Sequence, residues 1–304
     1  MKLLNSISSQ LVLEPSYIED VAKTASLRYT SFPIDKKDGG TREIHHPAKE
    51  VKALQRFLHE EYLTKLLTHE VAVAYKQGTS IKVNANAHKG AKYLMRLDFK
   101  SFFSSISSTD VFNFISTNGE SLIEGWSKED SSLFTKLVCY KNSLTIGSVT
   151  SPLLTNAMCY NLDVKIFTIA TSMDVTYTRY ADDMYFSTST PHILNKLQKI
   201  VFSIVKELQL PKKLKINHKK THHSSKKNRM TVTGLVITTD NKVSIGRNKK
   251  REIRSLIFNW KKLEPKQKTY LAGYLSYCKS IEPSFINALC NKYGADILRE
   301  ISIY

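Results

Sequence analysis

The sequence predicts an α+β protein whose helical ends flank a mixed centre built on antiparallel strands. Three observations carry this. Apolar residues fall at helical spacing near both ends, as at Leu54, Phe57, Leu58, Tyr62 and Leu66. In the middle, VTYTRYADDMYFSTS (Val175 to Ser189) alternates apolar or β-branched residues on both sides of Asp182-Asp183, the period-2 signature of two half-buried strands joined at a bend. Short strand-like runs then follow at KLKIN, MTVTGLVIT and KVSIG before helical patterning resumes at Asn248.

Taken in order, GGTREIHHPAKE reads as a hairpin tip leading into a basic strand, and Val51 to Leu67 as a helix. Lys92 to Asp98 (KYLMRLD) reads as a strand that ends in an acid. Ser107 with Asp110 three residues on fits a helix start, closed by Asn118-Gly119, and Ser127 caps a second helix to about Tyr140. Ser151-Pro152 opens a long helix with Leu153, Ala157, Met158, Leu162 and Ile166 on its apolar face. Ile193 to Leu208 is strongly amphipathic.

The chain has 304 residues and ordinary hydrophobic content, but its formal charge is +18. Of that excess, +15 lies between Lys206 and Lys268, where 19 Lys/Arg meet 4 Asp/Glu. Such localisation points to a polyanionic partner, and nucleic acid fits better than a membrane, because no segment is long and apolar enough to span a bilayer. The N-terminus MKLLNSISSQLVLEP is interrupted by Asn, Ser and Gln and does not read as a signal peptide, so a cytoplasmic location is expected. Cys139, Cys159, Cys278 and Cys290 are widely spaced, which speaks against a zinc site or a disulfide framework.

Asp is depleted in strands, so the adjacent acids mark either a simple hairpin tip or a carboxylate pair held on a rigid hairpin to grip divalent metal. Nucleotidyl transfer through metal ions needs at least two carboxylates converging from separate strands. Asp98, at a strand end and followed by Phe99, Phe102 and Phe103, is the candidate third acid. Aromatic rings beside a nucleotide site can pack on the sugar and exclude a 2′-hydroxyl.

Asp98 in LDFKSFF, Gly147 ahead of Ser151-Pro152, Tyr180–Asp183 (YADD) and Lys220-Thr221 in NHKKT follow the order of reverse-transcriptase palm motifs. Within that superfamily the chain most resembles bacterial retron reverse transcriptases, over most of its length. Asn84-Ala85-Asn86-Ala87-His88 matches the retron NAxxH signature and Val232-Thr233-Gly234 the VTG signature. GYLSYCKSIEPSFINALCNKYG is similar to the C-terminal segment of several retron enzymes.

The resemblance implies roles for matching positions. Asp98 and Asp182 would be direct metal ligands, aided by the Phe99 carbonyl, with Asp183 completing the triad around two Mg2+ ions, for which Mn2+ could substitute. Phe103 would select deoxyribose, Lys220 would protonate the departing pyrophosphate, and Arg42 would bind the triphosphate. Many reverse transcriptases carry Pro-Gln-Gly where this chain has Thr145-Ile146-Gly147. Ile cannot donate the glutamine's hydrogen bond, so the match stops at Gly147 and the manner of nucleotide selection is left open. Asn84, His88, Val232, Thr233 and Gly234 would belong to RNA recognition. RNKKREIRSLIFNWKK would form a thumb helix with Arg247, Lys250, Arg254 and Lys261 roughly on one face and Ile253, Leu256 and Ile257 packed beneath.

The implied architecture is a right-hand polymerase: fingers at residues 1–91 and 111–140, palm at 92–110 and 141–239, and a basic, helical thumb at 240–304. The implied function is RNA-directed DNA synthesis on a cognate structured non-coding RNA (the msr–msd RNA). It would consume dNTPs, prime from an internal guanosine 2′-hydroxyl, and leave branched RNA–DNA (msDNA) that serves anti-phage defence beside a separate effector protein. No stretch resembles a ribonuclease H or a nuclease, so those activities are expected from other proteins. Two rivals stay open: a defence-type reverse transcriptase making untemplated or protein-primed DNA, and a non-catalytic RNA-binding scaffold.

Overall fold

The computed structural model describes residues 1–36 and 39–303, so Tyr304, the end of the predicted thumb, lies outside the described residues. Helices α1 (Lys2–Leu11) and α2 (Pro15–Lys23, with Pro at its first turn) precede an antiparallel hairpin of β1 (Tyr29–Asp35) and β2 (Thr41–Pro47). Helix α3 (Lys49–Glu61) buries Val51, Leu54, Phe57 and Leu58. It stops short of the predicted Leu67, giving way to a single 3-10 turn at Leu63–Lys65. Helix α4 (Ile81–Ala87) is capped by Ser80, and strand β3 (Tyr93–Asp98) follows. Helices α5 (Ser108–Asn118) and α6 (Lys128–Val138) start at the capping boxes Ser107/Asp110 and Ser127/Asp130, where each Ser–Asp pair satisfies otherwise orphaned backbone donors. Asp130 also accepts from the Leu3 amide at 2.8 Å and so ties α1 to α6.

The long helix expected from Ser151 is two: α7 (Ser151–Met158) and α8 (Tyr160–Ser172), parted at Cys159 (φ −86°, ψ 3°). Tertiary bonds hold each half, because Asn156 donates to the Ala74 carbonyl and Asp163 accepts from Arg179. Strands β4 (Thr176–Tyr180) and β5 (Asp183–Thr188) form the predicted hairpin, and α9 (Ile193–Lys206) follows. KLKIN is not a strand. Ile216 makes one bridge to Phe99, and the edge strand beside β3 is β6 (His222–Ser225), a polar run with no apolar alternation to announce it. A second hairpin pairs β7 (Met230–Val232) with β8 (Leu235–Ile237), and β9 (Val243–Ser244) adds to it. Four helices close the chain: α10 (Arg247–Phe258), α11 (Pro265–Ile281), α12 (Pro283–Tyr293) and α13 (Ala295–Ser302).

The central sheet has the order β4-β5-β3-β6 and is antiparallel throughout. Because side chains alternate between faces, Met95, Leu97, Tyr177, Met184 and Phe186 enter one core with α8 and α9. The opposite face carries Leu94, Arg96, Asp98, Asp183 and Tyr185. Its covered part, at Leu94 and Tyr185, belongs to a second core shared with α4, the β7–β9 sheet and the C-terminal helices. The acids stand where that cover ends.

Candidate active site

Three carboxylates meet at one end of the central sheet. Asp98, the last residue of β3, is the register partner of Asp183, the first of β5. Asp182 sits in the two-residue turn, where Ala181 takes a left-handed φ of 57°. The Phe99 amide donates to the Asp182 carbonyl at 3.0 Å, closing the strand end onto the turn. Burial, then the charge of Asp182, push Asp183 up to about 6, against the opposing pull of Arg96 and the Tyr185 hydroxyl. Burial and the charge of Asp98 also raise Asp182. The cluster therefore resists carrying its full negative charge without a cation.

A buried arginine, which sequence patterning did not single out, holds the turn. Arg179 is fully buried and forms a bidentate pair with Asp163 of α8, Nη2 to Oδ2 at 2.6 Å and Nε to Oδ1 at 2.9 Å. Its Nη1 donates to the Ala181 carbonyl and to Asn156 Oδ1, both at 3.1 Å. Burial opposes this charge, and Asp163 more than offsets it, holding Arg179 above the ordinary arginine range. Tyr177 donates to the same Asp163 at 2.8 Å. The backbone of Arg179 exchanges bonds with Val71 and Val73, which fixes the segment carrying Tyr75 beside Asp182. Parity was the available signal: two positions after inward-facing Tyr177, Arg179 falls on the core side.

The acids border a cleft of about 480 Å³ lined by Asp98, Asp182, Arg42, Tyr75, Phe103 and Lys220, among others. Arg42 reaches it from the start of β2 and Lys220 from the 3-10 turn at His218–Lys220. Lys220 Nζ lies 3.3 Å from Asp98 Oδ2. Of the three phenylalanines, Phe99 and Phe102 stack in the core with centroids 5.4 Å apart, whereas Phe103 is only partly buried. Ile146 lines the cleft, but Gly147 does not. Gly147 has φ 103°, and a Cβ there would stand 2.4 Å from the His45 carbonyl oxygen. The missing side chain lets the loop ahead of α7 approach β2, where the His45 amide donates to the Ile146 carbonyl at 2.9 Å.

The residues expected to touch RNA divide. Asn84 and His88 are fully buried and face the sheet instead. Thr178 donates its hydroxyl proton to Asn84 Oδ1 at 2.5 Å. His88 Nε2, 2.8 Å from that same hydroxyl oxygen, must therefore be the donor, and Nδ1 accepts from Ser187 at 2.8 Å. Desolvation pushes His88 down to about 4, so it is neutral. Val232 is likewise core, whereas Thr233 and Gly234 form the β7–β8 turn with φ of 46° and 84°. In α10, Lys250 pairs with Glu282, and both Lys250 and Arg254 lie over the Phe285 ring. Lys261 falls in a 3-10 turn beyond the helix. The outward face of α10 carries Arg247, Arg251 and Phe258, the last 80% exposed.

Among the described residues no three His, Cys, Asp or Glu side chains close around one point. Asp98 and Asp182 face the cleft, while Asp183 turns towards Arg96 (3.9 Å) and Tyr185 (3.2 Å). Such an open pair suits a hard divalent cation that takes its other ligands from phosphates and water.

Residues 34–256 match the family described as reverse transcriptase (RNA-dependent DNA polymerase). Over 99% of its length the chain is 32% identical to the retron Ec86 reverse transcriptase of Escherichia coli, covering 93% of that protein. It is 30% identical to the retron Ec83 enzyme and 32% to the retron Ec73 enzyme of the same organism, over 98% of this chain in each case and 98% and 96% of theirs. In fold it is similar to a telomerase of Candida albicans solved with a fragment of telomeric RNA (TM-score 0.52, 14% identity, 95% of this chain and 58% of that one). A foamy viral protease-reverse transcriptase solved with an RNA/DNA hybrid gives a TM-score of 0.50 at 14% identity, over 90% of this chain and 33% of that one.

Proposed function

The chain belongs to the reverse transcriptases and, within them, to the retron enzymes, and is thus an RNA-directed DNA polymerase; on that premise we propose that it copies part of a cognate structured non-coding RNA from an internal guanosine 2′-hydroxyl, leaving branched RNA–DNA. The observation that carries this reading is the convergence of Asp98, Asp182, Arg42, Phe103 and Lys220, from four separate segments, on one cleft.

Asp98 and Asp182, with the Phe99 carbonyl, would hold divalent cations, Mg2+ or Mn2+. Such ions favour ionisation of the attacking hydroxyl and offset charge on the triphosphate. The primer oxygen bonds to the α-phosphorus of the incoming dNTP, the bond to pyrophosphate breaks, and the hydroxyl proton is released. Arg42, a bidentate donor, binds the triphosphate oxygens. Lys220, the cation nearest Asp98, supplies a proton to the departing pyrophosphate. The Phe103 ring blocks a 2′-hydroxyl on the incoming sugar, and Ile146 presents an apolar wall where a glutamine is common. In right-hand terms, β1–β2 with the N-terminal helices are fingers, the central sheet is palm, and α10–α13 are thumb.

The RNA is gripped through backbone charge and shape, which suits a surface rich in Lys and Arg but poor in base-specific groups. The product acts in anti-phage defence with a separately encoded effector. No helix among the described residues is long and apolar enough to cross a membrane. The purified chain is expected to extend a DNA primer on poly(rA) with dTTP, and Asp98→Asn to lower the rate at least about 1,000-fold. Equal rates in the two proteins would remove the reading.

A further inference from the structure

We infer that Tyr185 is a positioning residue for Asp183, and that the Val232-Thr233-Gly234 turn acts on the carboxylates through it. This rests on the reading of Asp183 as the third acid of the site.

Tyr185 stands on the face of β5 that the second core covers, two residues from Asp183, and is almost completely buried. Its ring packs in the second core with Leu94, Ala85 and Val232. Its hydroxyl has two partners. The Thr233 amide donates to it at 3.1 Å, and it lies 3.2 Å from Asp183 Oδ2. A phenol has one proton to give, and the amide occupies its acceptor side, so that proton goes to the carboxylate. On the other side, Arg96 Nε lies 3.9 Å from Asp183 Oδ1. Each oxygen of Asp183 therefore faces a different group: Oδ2 takes the Tyr185 hydrogen bond, while Oδ1 meets the Arg96 charge across 3.9 Å with no hydrogen bond between them.

The amide can serve this way because of how the turn is built. Thr233 and Gly234 both have positive φ, the conformation that closes a two-residue hairpin between β7 and β8. The Thr233 hydroxyl donates to the Ile81 carbonyl at 3.2 Å, seating the turn on the first residue of α4. From the same helix, Asn84 engages Thr178, the register partner of Tyr185 on β4, and His88, just past the helix end, contacts the same hydroxyl. Two segments some 150 residues apart in sequence thus meet on one cross-strand row beneath the acids. The amide aimed at Tyr185 is not available to RNA; the exposed side of Gly234 is.

The test compares wild type with Tyr185→Phe, which keeps the ring and removes the hydroxyl. One readout is Mn2+ affinity of the protein without nucleic acid, by electron paramagnetic resonance. The other is kcat and KM for dTTP on primed poly(rA). The expected result is Mn2+ binding weakened about three-fold or more and kcat lowered about ten-fold, with KM within about two-fold. Gly234→Val strains the turn at its positive φ and should reproduce the Tyr185→Phe losses, which keeps the inference testable if Tyr185→Phe does not fold. Unchanged Mn2+ affinity and kcat in Tyr185→Phe or in Gly234→Val would overturn it. A wild type that makes no DNA would instead count against the polymerase reading, and the Mn2+ comparison would still decide this one.

Discussion

At the scale of single residues, the acids are supported by buried polar groups whose loss has a calculable effect. Asp163→Ala would leave the Arg179 guanidinium buried without its counter-charge, and breaking such a pair costs about 3–5 kcal/mol. Urea unfolding should show a loss of that order, together with reduced polymerisation, because Arg179 also holds the Ala181 carbonyl. His88 supplies a pH dependence. Its pKa is about 4 in the folded chain against an ordinary 6.5, so between those values the unfolded chain binds the proton and the folded chain does not. Stability from this group is complete above pH 6.5 and is lost as pH falls towards 4, about 2 kcal/mol of it by pH 5. His88→Gln should flatten the stability difference between pH 7.5 and pH 5 by about that amount, and an unchanged slope would mean the site opens to water.

The acids themselves were legible in the sequence through the order of motifs around them, from Asp98 through Ser151-Pro152 and Tyr180–Asp183 to Lys220-Thr221; the alternation beside Asp182-Asp183 alone fits a plain hairpin tip as well. Arg179 was harder to see, since an arginine beside them reads as a solvated neighbour unless its parity with Tyr177 is followed. Asn84 and His88 were legible as a matched signature but not as buried groups. Which way a polar side chain faces on a short helix depends on what packs over it, here Thr178 and Ser187, about 90 to 100 residues further along the chain.

At the scale of elements, the capping boxes at Ser107 and Ser127 gave two helix starts to the residue, because a cap is a local bond between near neighbours. The edge strand β6 and the bend at Cys159 were not legible, because distant partners set both: β3 for the one, Ala74 and Arg179 for the other. The predicted basic face of α10 was displaced by roughly one residue. Glu282 and Phe285 draw Lys250 and Arg254 inward, which leaves Arg247, Arg251 and Phe258 outside. An exposed ring beside arginines would suit the stacking of a nucleic-acid base. Phe258→Ala is therefore expected to weaken RNA binding by about 1–3 kcal/mol in a filter-binding titration while leaving the melting temperature unchanged. Gly147→Ala tests the seam between the β1–β2 hairpin and the loop ahead of α7. A methyl group 2.4 Å from the His45 carbonyl must push β2 away, and Arg42 with it, so KM for dNTP should rise about ten-fold or more.

At the scale of the whole molecule, one core joins the N-terminal helices to one face of the central sheet, and a second joins the other face to the C-terminal helices. The acids lie at the edge of that second core, where the opposite face becomes open. The basic excess between Lys206 and Lys268 covers the β6–β9 region and α10, so RNA affinity should depend steeply on salt. On the proposed function, the chain would make DNA templated by its own RNA at the carboxylates Asp98, Asp182 and Asp183. The most direct measurement is to express the chain with its neighbouring genomic DNA and examine total nucleic acid for a small, RNase-resistant single-stranded DNA, beside the Asp182→Ala/Asp183→Ala double variant. A discrete band that is absent from the variant and changes mobility on debranching is the result expected. No band from well-expressed wild-type protein with the RNA locus intact, or an equal band from the variant, would rule out templated synthesis at these carboxylates.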